Sequence, residues 1–150
     1  MYNNLFFNCD HILSEVEINE FEKKFQFVMP NMIKKHYLCY NGGYPEKSVY
    51  NDSNGNRYVV NYFYSINGKK GNDLNETMLI LNDKNVFPQW LVPLADDEGG
   101  NLFCYSLKKN DEGSIYYYNH EFDYGDDPEN HITRIATSIL EFITKMCEEE

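Results

Sequence analysis

The spacing of apolar side chains divides this chain of 150 residues into a helical start, a β-rich middle and a helical end. Residues 14–27 open with Ser14-Glu15-Val16-Glu17, a serine followed three positions on by glutamate, which is the pattern of a capping box. Ile18, Phe21, Phe25 and Val28 then recur at helical spacing. After Pro30 a second helix is expected over residues 31–40, with Asn31 as its N-cap and Ile33, Tyr37, Leu38 and Tyr40 on its inner face. Asn41-Gly42-Gly43 ends it, because glycine enters the left-handed conformation at little steric cost. Two β-favouring runs, residues 48–50 and 57–65, flank the turn-rich stretch 51–56 with its Asn-Gly pair and read as a hairpin. A polar loop over 65–73 and a short helix over 74–82 follow. Leu91-Val92-Pro93-Leu94-Ala95 reads as a strand with Pro93 at an edge or a bulge. Strands over 102–107 and 114–118 complete an antiparallel meander. Ile132, Ile135, Ala136, Ile139, Leu140, Ile143, Met146 and Cys147 then form the apolar stripe of a long C-terminal helix over 132–147. Helices, a mostly antiparallel sheet and a closing helix make an α+β fold, and the length suits one domain spanning residues 1–150. The elements do not alternate β and α, which disfavours a doubly wound nucleotide-binding fold.

Composition adds a compartment and a partner class. Hydrophobic residues make up 42% of the chain and charged residues 25%, values that support a real core and argue against wholesale disorder. Cys9, Cys39, Cys104 and Cys147 lie far apart without a CxxC pair, so they read as reduced, mostly buried thiols and not as disulfides or a zinc site. The N-terminus has no basic segment followed by an apolar run, and no apolar stretch approaches the roughly 20 residues of a membrane span, so a cytoplasmic protein is expected.

The charge is unevenly placed. Residues 1–75 carry 8 Lys+Arg and 8 Asp+Glu, whereas residues 76–150 carry 5 and 16, so the whole formal charge of -11 lies in the second half. It concentrates in Asp96-Asp97-Glu98, in Glu121, Asp123, Asp126, Asp127 and Glu129, and in the tail Glu148-Glu149-Glu150. Such a surface repels a phosphate backbone, which disfavours direct nucleic-acid binding, and attracts a basic protein. The bland alternative is an acidic face that only aids solubility.

No catalytic constellation emerges. Gly68-Lys69-Lys70-Gly71 lacks the spacing of a phosphate-binding loop, and His11, His36, His120 and His131 form no H-x-x-x-H pair. Cys104 and His120 would form a dyad only if their strands aligned them, and a buried thiol beside a surface imidazole is the simpler reading. Asp123, Asp126, Asp127, Glu129 and His131 have the composition of a hard-metal loop without the calcium spacing. Asp96 and Asp97, adjacent on a strand, point to opposite faces and are poor acid–base partners. No catalytic residue, metal or cofactor is therefore expected, and the chain is read as a non-enzyme. Tyr58, Tyr62 and Tyr64 share a face if alternation holds, as do Tyr116 and Tyr118; cross-strand packing is favoured over an aromatic contact surface.

Met29-Pro30, the helix with Tyr37 and Leu38, and the closing Asn41-Gly42-Gly43 resemble a recurring pattern of the SUKH superfamily. The run from Leu91 to Leu107, LVPLADDEGGNLFCYSL, is similar to that family's strand–turn–strand core, and Ile115-Tyr116-Tyr117-Tyr118-Asn119-His120-Glu121 to its next strand, where Asn119 departs from the usual Asp. The resemblance implies a SUKH-like α+β domain. The family includes fungal cell-wall assembly regulators and bacterial immunity proteins that neutralise toxin domains by stoichiometric binding. Their toxin partners are often nucleases, which tend to be basic. The expectation is therefore an immunity protein that docks a cognate toxin through Asp96, Asp97, Glu98, Glu121, Asp123, Asp126, Asp127 and Glu129. The alternatives are a regulatory protein-interaction module of the same fold and, less supported by the residues, a small enzyme.

Overall fold

The computed structural model describes residues 2–84, 87–120 and 131–149. Chain order runs β1 (Phe6–Phe7), α1 (Glu15–Phe25), α2 (Asn31–Cys39), β2 (Tyr44–Pro45), β3 (Val49–Asn51), β4 (Arg57–Val59), β5 (Tyr62–Phe63), α3 (Leu74–Lys84), β6 (Leu91–Asp96), β7 (Leu102–Ser106), β8 (Ile115–Tyr118), β9 (Ile132–Ala136) and α4 (Ile139–Thr144). The fold is α+β, and among the described residues the named strands all pair antiparallel.

Local chemistry sets the helix ends. Ser14 caps α1 by accepting from the Glu17 N–H at 3.2 Å, and Gln26 closes it in the left-handed conformation. The buried Glu22 carboxylate then ties α1 to α2: it accepts from the Met29 N–H at 2.6 Å and from Lys34 Nζ at 3.3 Å. At α2 the cap position is Pro30 and not Asn31, which lies inside the first turn; Pro30 offers no side-chain bond, but proline's fixed φ suits a helix entry.

The expected hairpin forms as β3 and β4, with Tyr50 opposite Tyr58. It does not run on. The chain leaves that pair after Val59, and Tyr62 opens the first strand of a separate five-stranded sheet ordered β5-β6-β7-β8-β9. Tyr58, Tyr62 and Tyr64 therefore do not share one face, because the break at Val60-Asn61 interrupts the alternation. β6 is fully buried, and Pro93 is accommodated by a bulge between Pro93 and Ala95, not at an edge.

The largest departure is at the C-terminus. Residues 132–136 form the edge strand β9 on β8, and the helix begins only at Ile139, capped by Ser138. An open β8 ladder and the β-branched Ile132, Thr133 and Ile135 outweigh the helical spacing. The thiols also differ from expectation: Cys104 is buried and Cys9 partly so, but Cys39 and Cys147 are exposed.

The core centres on Phe63, Phe103 and Phe142, with α4 pressing Phe142 onto the sheet at ring distances of 6.4 and 5.5 Å. Alternation along β7 and β8 puts Phe103 and Tyr117 on this face and Leu102 and Tyr118 on the other, where they line a cleft with Leu81 of α3. The β3–β4 hairpin covers the first face further along, setting Tyr58 against Phe103 at 6.2 Å.

Candidate functional site

Two turns of the same construction meet at one end of the sheet. Asp52-Ser53-Asn54-Gly55-Asn56 joins β3 to β4, and Asp97-Glu98-Gly99-Gly100-Asn101 joins β6 to β7. Each is closed by an N–H from the aspartate to the asparagine carbonyl at 3.0 Å. In each, aspartate Oδ1 accepts from the backbone N–H two and four residues on: 3.0 and 2.8 Å in the first turn, 2.9 and 2.9 Å in the second. The asparagine Nδ2 donates to Oδ2 at 3.2 and 3.1 Å. The fourth residue is a left-handed glycine in both, Gly55 at φ 82° and Gly100 at φ 86°.

Each turn also holds a tyrosine. Tyr58 donates to Asp52 Oδ2 at 3.5 Å and Tyr117 to Asp97 Oδ2 at 2.7 Å. The two rings meet at 4.8 Å and an interplanar angle of 51°, and both lean on Phe103. Burial raises both phenols, and the neighbouring carboxylates raise them further, so they stay protonated donors. Burial would raise Asp52 too, but its bonds from Asn56, Asn54 and Tyr58 hold it below the usual carboxylate range and keep it ionised. Tyr58 and Tyr117, with Asn56, Asn119, His131 and Thr133, border an open groove of about 320 Å³.

Of the residues expected from sequence to dock a partner, the turn presents only one fully. Glu98 is exposed and Asp97 half-buried, while Asp96 retains only 8% of its accessible surface. Its placement among docking residues is thus corrected: as the last residue of β6 it turns inward, within 3.5 Å of the Tyr64 hydroxyl and Asn61 Nδ2. Burial raises its carboxyl to about 6 against the opposing bonds from Tyr62 and Asn61. Glu121, Asp123, Asp126, Asp127 and Glu129 lie outside the described residues. The residues flanking them sit at the same end of the sheet, with the His120 N–H on Asn101 Oδ1 at 3.1 Å and the Asn119 N–H on the His131 carbonyl at 3.4 Å.

Sequence reasoning missed the part played by Asp52 and Tyr58. The shared spacing, Asp first, Gly fourth and Asn fifth, was there to be read, but the tyrosines follow their aspartates by very different intervals. Cys104 and His120 do not meet as a dyad. Cys104 is paired with Tyr116, two positions further down the ladder from Leu102–Tyr118, while His120 lies over Gly100 beyond its other end.

A second polar cluster lies near the N-terminus. The His11 ring is bracketed by Glu17 Oε2 and Asp10 Oδ1, each at 2.8 Å. These bonds, Glu17's foremost, raise the imidazole above its ordinary value of 6.5. Asp10, whose burial would raise it, is held well below the carboxylate range by the N–H groups of His11, Lys70 and Lys69 and by the His11 ring. The buried Asn41 side chain bonds the His11 and Ile66 carbonyls at 3.1 Å and the Ile66 N–H at 2.8 Å. These contacts knit the segment before α1 to the 66–72 loop.

The chain is thus an α+β domain with two aspartate turns and a tilted tyrosine pair at its polar end. The SMI1 / KNR4 family (SUKH-1) model matches residues 12–145, and the chain belongs to that family. Among curated proteins it is 26% identical over 104 residues to the SPbeta prophage-derived uncharacterized protein YokK of Bacillus subtilis (strain 168), covering 69% of this chain and 50% of that protein. The chain thus spans about half the length of that relative. A crystal structure of a protein from Pseudomonas syringae pv. tomato shares the fold, with a TM-score of 0.51 at 14% identity over 77% of this chain and 74% of the other. The family includes toxin-immunity proteins, which act as binding modules.

Proposed function

We propose that this chain is an immunity protein that binds a cognate bacterial toxin domain one to one and neutralises it in the cytoplasm, as a single SUKH-like domain without catalysis of its own. The partner is a basic protein, of which a nuclease is the leading class. The observation that carries the reading is the acidic, tyrosine-bearing end of the sheet. There Tyr58, bonded to Asp52, meets Tyr117, bonded to Asp97, and Glu98 projects. Family membership supplies the biological class, and the prophage origin of the relative is in keeping with a toxin–immunity pair. The net charge of -11 favours fast capture of a basic partner.

The test is co-expression with the C-terminal domain of a toxin encoded beside the gene, with growth as the readout. Rescue by the intact chain together with a co-purifying complex supports the reading. Soluble expression of both without rescue rejects that toxin as partner and favours a regulatory module of the same fold. The docking surface is tested separately by Glu98→Gln combined with Glu121→Gln, Asp123→Asn, Asp126→Asn, Asp127→Asn and Glu129→Gln. Unchanged affinity and unchanged salt dependence would move the surface elsewhere.

A further inference from the structure

We propose that the groove between Tyr58 and Tyr117 is a receptor for an arginine side chain of the protein partner, its guanidinium stacking on the tyrosine pair between the two aspartate turns. The inference rests on the preceding reading for the identity of the partner, but the chemistry of the groove stands on its own geometry.

Four features define what fits. The walls are aromatic: Tyr58 and Tyr117 are only partly buried and meet at 4.8 Å. They are held in place, because both rings lean on the fully buried Phe103 and their hydroxyls are tied to Asp52 and Asp97. The field is negative: the Asp52 and Asp97 carboxylates accept from the hydroxyl ends of the two rings at 3.5 and 2.7 Å, and the six lining residues include no lysine or arginine. Finally, the groove of about 320 Å³ is open to solvent, so a side chain can enter from a surface laid over it.

Among charged groups, this combination selects a guanidinium. It is flat, weakly hydrated and able to stack on an aromatic face while its edge donates hydrogen bonds. Asn56 and Thr133, which also line the groove, carry side-chain oxygens of the kind that accept from a guanidinium edge. An ammonium would give up more hydration for one point contact, and a phosphate or carboxylate would meet the field of Asp52 and Asp97. The rigid walls lower the ordering cost of binding, and tyrosine and arginine are both enriched where interfaces concentrate their energy.

The test needs no toxin. Isotopically labelled chain is titrated at low salt with acetyl-Gly-Arg-Gly-amide and with the same peptide carrying citrulline, which keeps the shape and loses the charge. The expected result is that NMR shifts centre on Asn56, Tyr58, Tyr117 and Thr133 and that the citrulline peptide binds about ten-fold more weakly, the scale of one cation–aromatic contact. Tyr58→Leu and Tyr117→Leu should lose the arginine preference, while Tyr117→Phe, which keeps the ring, should retain it. Because the leucine variants disturb packing on Phe103, Thr133→Arg serves as the second probe: Thr133 is exposed, and an arginine planted there should fill the groove and block the peptide. Equal binding of the two peptides, shifts centred elsewhere, or full binding by Thr133→Arg overturns the proposal. Toxin protection by chains with Thr133→Arg and Tyr58→Leu at wild-type affinity would remove the groove and leave the immunity reading. Arginine binding in the groove without any protective pairing would do the reverse.

Discussion

At the scale of single residues, buried and half-buried titratable groups give this chain a pH signature. His11 is raised above 6.5 by Glu17 and Asp10, with burial and then Lys69 opposing. A folded value above the unfolded one means that the folded state holds the proton more tightly, so its contribution is complete below pH about 6.5 and disappears as pH climbs through the raised value. Denaturation midpoints should therefore fall from pH 6 to pH 8, and His11→Gln should flatten that slope; a slope unchanged in the variant would assign it elsewhere. Asp96 acts on the acid side. Its carboxyl, raised to about 6 from 3.8, binds a proton preferentially in the folded state, so stability declines as pH rises through that interval and the penalty is fully present above it. Asp96→Asn should keep the polar contacts to Tyr64 and Asn61, raise the midpoint at neutral pH and remove the decline between pH 4 and 6. A lower midpoint at neutral pH would contradict the inward-facing account. In the run Ala95-Asp96-Asp97-Glu98 alternation puts Asp96 and Asp97 on opposite faces but does not say which of them turns in; the position of Tyr64 decides that.

At the scale of elements, turn and cap chemistry were readable, and competition between periodicities was not. The Ser14 cap, the second helix, the β3–β4 hairpin and the β6–β7–β8 meander follow the sequence pattern closely. The stripe from Ile132 to Cys147 misled because its spacing satisfies a helix, while the gain from pairing with β8 is a tertiary effect absent from any local window. One local sign was present: Ser138 followed three residues later by Glu141 repeats the cap pattern, and Ser138 Oγ does accept from the Glu141 N–H at 3.0 Å. Ser138→Ala should cost about 1 kcal/mol, read by denaturant unfolding. The Asn41-Gly42-Gly43 turn has a steric reason that a comparison of glycines can isolate. Gly43 and Gly55 are both left-handed, at φ 98° and 82°, but a Cβ on Gly43 would sit 2.6 Å from the Phe7 carbonyl oxygen and 2.9 Å from Cys9 Sγ, whereas one on Gly55 would meet nothing within 4 Å. Gly55→Ala should cost about 1 kcal/mol, the left-handed penalty alone. Gly43→Ala should cost clearly more, and equal losses would show that the close approach of β1 is not what demands glycine.

At the scale of the whole molecule, the acidic excess of the second half and the family membership bear on what the chain binds. The sequence places the acids in the second half of the chain. It does not reveal that Tyr58, bonded to Asp52 in the electrically neutral first half, is brought onto Tyr117, bonded to Asp97 in the second, by the packing of the hairpin on Phe103. That juxtaposition depends on contacts between residues far apart in sequence, which no motif encodes. The resulting surface joins aromatic side chains to neighbouring carboxylates, and the proposed capture of a basic protein rests on it. The most direct check is calorimetric titration of the intact chain with the toxin domain encoded beside its gene, between about 0.1 and about 1 M salt, over which the Debye length shrinks from about 10 to about 3 Å. This account predicts a one-to-one complex whose affinity falls steadily across that range; no complex at any salt, or one whose affinity ignores salt, would contradict it.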